Sequence, residues 1–559
     1  MPSSNSQFFN RPSASELGIP QMTLPELREV ARRLPFEWAY IGLSLIQARL
    51  TDIWRDGWAQ LELLREIYGD VPLLDRYDAF LKAHSTAALF GAQDIYVAQR
   101  LLIDHARDVD ATEPVDFDDD VHLSTLLIHA PGIVDAANPL TRVSGQPTLH
   151  DVVAAIQLGA AVSARPPAVN ELGRFFDVFA VRARDRVNPD VPLDEWAQKE
   201  YKLTLEQQIA GGFGYGAMAM QDAANGKLGL VAPTILATTK LASVEQHVLD
   251  AVSGDRDWFR QEFARGDQTE RDVAWEVFPF IRRPFLRLHD ARLVLCSPTA
   301  IWTWNGFGIY DRLRTIARDQ PHKAGSKLDL FGQVVGDLIE DYAVDIARSV
   351  YPSGRVFSDA DWSTVHPPDL AIALGDDLVV VEVRSGFLSP WFRTSGDLDE
   401  FDKQMKRHVH DKLDQLGSCI AEIEAGTATL ADVDLGAIKR IWPVLITVPL
   451  AITEHFWMLI DPQIPPSLCG GRSQQLVIAD MPEFELLMGA IEQGTDLIQT
   501  LHERQQTPFK HLELGRWLVD RAGVPWTCRP RLVVENWDRA RTALNGALWP
   551  DDGTGAPTN

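Results

Sequence analysis

Pro367-Pro368-Asp369-Leu370-Ala371-Ile372-Ala373-Leu374, a short polar turn, and then Leu378-Val379-Val380-Val381-Glu382-Val383-Arg384-Ser385-Gly386 read as a β-hairpin. Strand side chains alternate between faces, so Leu378, Val380, Glu382 and Arg384 share one side while Val379, Val381 and Val383 share the other. A two-residue turn at Asp376-Asp377, after Gly375, sets Asp369 opposite Arg384 and Ala371 opposite Glu382. Asp369, Glu382 and Arg384 then meet on the face that the valines do not seal. Two acids in an apolar hairpin are costly unless something binds them, and a divalent metal is the usual reason.

The flanks extend the pattern. Upstream, apolar residues at 331, 334, 335, 338, 339, 342, 343, 346, 347 and 350 predict a buried helix over 331–350. Glu340 falls at one edge of its stripe beside the small residues Gly336, Ala343 and Ala347, with room for a metal and a phosphate; Asp341 falls at the opposite edge. The competing reading of Glu340 is a solvated acidic flank. Downstream, Leu398 to Ile423 reads as a second long helix carrying Lys403, Gln404, Lys406, Arg407, His408, His410, Lys412 and Gln415. Ile441 to Val448 reads as a further strand, placed at a sheet edge or start because Pro443 cannot donate to a ladder.

This order of helix, strand, strand, helix, strand, with Pro368-Asp369 opening one strand and Glu382-Val383-Arg384 closing the next, resembles the PD-(D/E)XK, or restriction-endonuclease-like, nuclease superfamily. The resemblance covers residues 326–450. It implies an α/β core, a mixed sheet flanked by helices, and Mg²⁺ or Mn²⁺ held by Glu340, Asp369 and Glu382. Glu340 lies in a Gly-x-x-apolar-Glu setting similar to that of the family's first core helix. Lys412-x-x-Gln415-Leu416 is similar to the helix that follows the Glu-x-Lys strand and lends a Lys or Gln to the site. Asp369, Glu382, Arg384, Lys412 and Gln415 are therefore the expected catalytic residues. The departure is Arg384 where the family has Lys. Arginine cannot accept a proton at any reachable pH, so that position holds no general base; it could steady charge on the phosphate. Alternatively Lys403 or Lys412 has taken over the lysine's task, or the site has decayed. The implied activity is metal-dependent phosphodiester hydrolysis of nucleic acid, with DNA as the expected substrate. The alternative is a catalytically silent module on the same fold that binds nucleic acid or a partner protein. The flanking organisation is similar to that of bacterial proteins carrying this core centrally.

At 559 residues the chain is expected to form two to four domains. Residues 1–20 and 551–559 read as disordered, 21–265 as a mostly α-helical N-terminal domain and 266–325 as a basic hairpin connector. Residues 326–480 form the nuclease-like core, and 481–550 a helical appendage. The helical domain is expected to select substrate or partner, or to mediate homo-oligomerisation. Four cysteines without paired spacing, no apolar signal segment and no long uncharged apolar run point to a cytoplasmic protein without membrane attachment.

A net charge of −25 argues against coating long stretches of nucleic acid. It leaves room for a local basic groove: residues 271–323 hold nine Lys or Arg against five acids. These are Arg271, Arg282, Arg283, Arg287, Arg292, Arg312, Arg314, Arg318 and Lys323, and their bland reading is solvated surface. Gly211-Gly-Phe-Gly-Tyr-Gly216 lacks the Lys-Ser/Thr of a phosphate loop and reads as a bend between helices. His408 and His410 fall about 200° apart on a helix and cannot chelate one metal. The sixteen tryptophans are expected mainly in cores.

Overall fold

In the computed structural model, residues 12–548 are described except 54–55, 70, 85–86, 109–116, 138–147, 163–168, 187, 226–229, 266–268, 321–326, 353, 385–397, 448–451 and 508–509. The expectations for 1–11, for 549–559, and for Lys323, Ser385 and Gly386 lie outside them. The chain is mixed α/β. Helix α1, Lys327–Val350, precedes strands β1 Val356–Ser358, β2 Leu370–Leu374 and β3 Asp377–Val383. Helices α2 Leu398–Met405 and α3 Asp411–Glu424 follow, joined by a π-helical turn at Lys406–His410. Strand β4 Arg440–Thr447, strand β5 Val477–Asp480 and helix α4 Met481–Glu492 complete the central unit.

The five strands form one mixed sheet in the order β5-β4-β3-β2-β1. β2 runs antiparallel to both β1 and β3, whereas β4 runs parallel to both β3 and β5. Every residue of β3 is buried, as a strand covered on both faces requires. Val379, Val381 and Val383 pack with Leu338, Tyr342 and Ile346 of α1. Leu378 and Val380 pack with Leu413, Leu416 and Ile420 of α3. The face that carries Glu382 is therefore also roofed, by α3.

The hairpin register differs from the expected one. Leu374 pairs with Asp377, so the two-residue loop is Gly375-Asp376. Gly375 takes φ +64°, open to glycine without strain. Asp377 belongs to the strand because its carboxylate is tied down there, accepting from Arg440 at 2.6 and 2.7 Å and from Trp442 Nε1 at 2.9 Å. Ala371 consequently faces Val380, not Glu382. The shift is two residues, so each side chain keeps its face.

Strand β4 is not an edge: it lies between β3 and β5. Pro443 is tolerated because the β5 side is out of step there. Ile441 aligns with Ser473 but Val444 with Val477, giving the partner one extra residue beside the proline.

Gly211 to Gly216 is not a bend either. It lies inside the helix Leu205–Ala224, where missing side chains let neighbours in. An added Cβ would meet Val248 at 2.4 Å from Gly211, the Trp304 ring at 2.3 Å from Gly212, and Ile301 at 2.8 Å from Gly216. Lys202 at φ +59° separates the helix Leu193–Tyr201 from the glycine-bearing helix.

The hairpin expected within 266–325 forms as Phe285–Arg287 against Leu293–Leu295, preceded by a helical turn at Phe278–Arg282. Residues 17–137 share an apolar core with 259–296, whereas 172–252 pack into the same core as α1 and the segments after β5. Glu485 of α4, fully buried, ties this second group together: it accepts from Arg174 at 2.6 and 3.0 Å and from Tyr342 of α1 at 2.8 Å. Among the described residues no helix is long and apolar enough to cross a membrane.

Two glycine substitutions should act in opposite senses. Gly212→Ala should lose about 1–3 kcal/mol in urea denaturation, since its methyl collides with buried Trp304. Gly332→Ala, in α1 with nothing within 4 Å, should gain about 0.5–1 kcal/mol from helix propensity.

Candidate active site at the strand ends

Asp369 is the residue before β2 and follows Pro367-Pro368. Carrying the observed pairing one residue further sets Asp369 opposite Glu382. The Val383 amide donates to Asp369 Oδ2 at 2.7 Å, which aims this carboxylate at β3. Glu382 is completely buried under α3. From α3, Lys412 reaches between the two acids: its Nζ donates to Glu382 Oε2 at 2.8 Å and to Asp369 Oδ2 at 3.4 Å. The second oxygen of Glu382 is buried without a hydrogen-bond partner.

Glu340 approaches from α1 on the other side of the sheet. Among the described residues it makes no hydrogen bond, but its charge interacts with Asp369 and Lys412. Burial, then Asp369, pushes its carboxyl up to about 8. Burial and the neighbouring Asp369 likewise hold Glu382 well above the usual range. Burial would lower Lys412, yet Glu382 and Asp369 outweigh it and raise the ammonium. Three carboxyls thus share one cation. Lys412 lies 2.8 Å from Glu382, whereas Glu340 has no cation within ion-pair distance among the described residues. Asp341, at the far edge of α1, is instead engaged by Arg186.

The structure brings together Asp369, Glu382 and Lys412, with Glu340 within electrostatic reach. Among the described residues no three His, Cys, Asp or Glu side chains form a ready-made metal cluster. Arg384 does not lie opposite Asp369. It continues past the end of β3, its amide donating to Ile446 O at 2.6 Å and its Nε to His408 Nδ1 at 3.4 Å. Gln415 is half-buried on α3 and makes no hydrogen bond to the acids or to Lys412. Lys403 is exposed, 3.9 Å from Glu400, so of the two lysines only Lys412 reaches the acids.

Glu422, also on α3, has no counterpart in the sequence reading. Its carboxylate accepts from Thr364 Oγ1, from the Val365 amide at 3.0 Å and from His366 Nδ1 at 2.7 Å, pinning the segment that delivers Asp369. Hydrogen bonds from Thr364 and His366 hold its carboxyl down at about 2. No motif marks it, because its partners lie almost sixty residues away.

The basic stretch 271–323 is largely neutralised. Arg282 pairs with Glu262, Arg287 with Asp250, Arg292 with Asp290 and Arg318 with Asp319, while Arg283 and Arg312 lie over Trp258 and Trp304. Arg314 differs: it makes no ion pair among the described residues, and its charge acts on His408.

Comparison of the chain with family models, with curated proteins and with solved structures finds no match.

Removing the shared cation should turn stability against alkaline pH. In Lys412→Met the buried Glu382 loses the partner that opposes its upward shift, so its folded pKa rises further above the unfolded one. Raised acids stabilise only at low pH, and that contribution is lost as pH climbs. Thermal melts should show a deficit of about 3–5 kcal/mol at pH 8 that shrinks towards pH 5. For Glu422→Gln the sign is opposite. The wild-type contribution of a depressed carboxyl is present above the unfolded value of about 4.5 and vanishes as pH falls towards 2. The variant's deficit should therefore disappear on acidification.

Proposed function

We propose that this chain hydrolyses phosphodiester bonds in nucleic acid, DNA first among them, at a divalent-metal site formed by Asp369 and Glu382. The observation that carries the reading is the convergence of two carboxylates and an ammonium at the end of the hairpin where β2 begins and β3 finishes. It agrees with the PD-(D/E)XK resemblance in residue types, and the mixed sheet between α1 and α3 is compatible with that core.

The donor set suits a hard cation: two carboxylates, one with an unsatisfied buried oxygen, and a third carboxyl on α1. Bound Mg²⁺ or Mn²⁺ would supply a water of lowered pKa and screen the phosphate charge. Asp369 and Glu382 would be its ligands, with Glu340 holding a coordinated water. Lys412 supplies the ammonium that the family places two residues after the glutamate; its three protons can orient the attacking water or a non-bridging oxygen. Arg384, permanently charged, faces the same mouth and steadies charge on the phosphate.

A silent binding module is the second reading. What favours it is Lys412 itself, which satisfies both acids without any metal.

The two readings part on one assay. Plasmid and single-stranded DNA are incubated with Mg²⁺ or Mn²⁺ beside Asp369→Ala, Glu382→Ala and Lys412→Ala. Hydrolysis by the wild type, reduced at least about 100-fold in each variant, is the expected outcome. Binding with no cleavage by any form would establish the module instead.

A further inference from the structure

Four side chains of the helical crossover after β3 stand at intervals of four: Glu400, Gln404, His408 and Lys412. On an unbroken α-helix each such step overshoots by about 40°, so the fourth would swing far from the first. The π turn at Lys406–His410 is wound more slowly and takes up the drift. The first three are hydrogen-bonded in sequence: Gln404 Nε2 donates to Glu400 Oε1 at 2.7 Å, and His408 Nε2 lies 3.1 Å from Gln404 Oε1. The chain ends on Arg384, whose Nε lies 3.4 Å from His408 Nδ1.

Only one arrangement of protons satisfies this chain. Arginine can only donate, so Nδ1 of His408 must accept, and Nε2 must carry the hydrogen that Gln404 Oε1 receives. His408 is thereby a neutral imidazole of defined tautomer. Burial, with the charges of Arg384, Arg407 and Arg314, holds it down at about 3, in agreement with that state.

A neutral partner leaves the arginine's charge unspent. In this acidic chain most buried arginines meet a carboxylate, as Arg174 meets Glu485. Among the described residues Arg384, Arg407 and Arg314 have no carboxylate within ion-pair distance, and all three act on one imidazole. An aspartate at 408 would hold the guanidinium equally well and cancel it. The histidine orients without cancelling.

We propose that Glu400, Gln404 and His408 are a positioning chain that presents Arg384, with Arg407 and Arg314 beside it, to a phosphate of a nucleic-acid backbone lying across Asp369 and Glu382. The ligand class is a phosphodiester strand, and the proposal rests on the nuclease reading above. Arg384 touches the phosphate through its Nη fork; His408 acts only through Arg384.

Two near-isosteric variants test it. Asparagine places an amide oxygen where Nδ1 stands, and aspartate differs from it essentially in charge. A fluorescein-labelled 12-base-pair duplex, with Ca²⁺ in place of Mg²⁺, reports binding by anisotropy, and thermal melts report folding. His408→Asn should bind within threefold of wild type, and His408→Asp at least tenfold more weakly, with kcat per bound complex changing less than KM. Equal binding by the two folded variants would overturn the proposal. ¹⁵N-histidine spectra of the wild type at pH 7 give a readout independent of any nuclease activity. The expected signal is a neutral Nε2–H tautomer for His408, and an imidazolium or Nδ1–H form would refute the chain. Should the tautomer be as expected while wild type binds no duplex, the nuclease reading fails, and the phosphate role of Arg384 fails with it.

Discussion

Two carboxylates buried at the ends of adjoining strands must share one ammonium, and the rest of the central unit is arranged around that requirement. An isolated carboxylate under a helix costs several kcal/mol of lost hydration. Glu382 meets it by lying wholly beneath α3 with Lys412 at 2.8 Å, and Asp369 by taking the Val383 amide at 2.7 Å. Burial and Asp369 push the carboxyl of Glu340 up to about 8. A pair assembled this way is weak as a stabilising device.

The crossover between the parallel strands β3 and β4 has three tasks at once. Its apolar side roofs the sheet through Leu413, Leu416 and Ile420. Its polar stripe carries Lys412 to the acids and His408 to Arg384. Further along, Glu422 clamps the strand that leads into Asp369. A slower-wound turn at Lys406–His410 lets one helix serve the stripe and the roof together. Arg384, Arg407 and Arg314, without an ion pair among the described residues, all act on His408.

Much of this was legible in the amino-acid order. Alternation in Leu378–Val383 and the helical period of 331–350 identify β3 and α1, and the two acids stand out because nothing else polar interrupts the hairpin. What stayed hidden was decided by partners distant in sequence. Asp377 belongs to its strand only because Arg440 and Trp442 hold it, which moves the register by two. Pro443 sits inside the sheet because an extra residue on the β5 side excuses its missing donor. The glycines of 211–216 look like a bend until Trp304, Val248 and Ile301 are seen filling the space they leave. Arg384 follows Glu382 by two residues in sequence, yet Lys412, thirty residues after Glu382, is the cation that reaches it in space.

The most direct measurement is anomalous diffraction from crystals grown with millimolar Mn²⁺. The account predicts a manganese peak between Asp369 and Glu382, with the Lys412 ammonium displaced from its bridge. Absence of any peak there, with Lys412 still spanning both carboxylates in a well-ordered site, would contradict it.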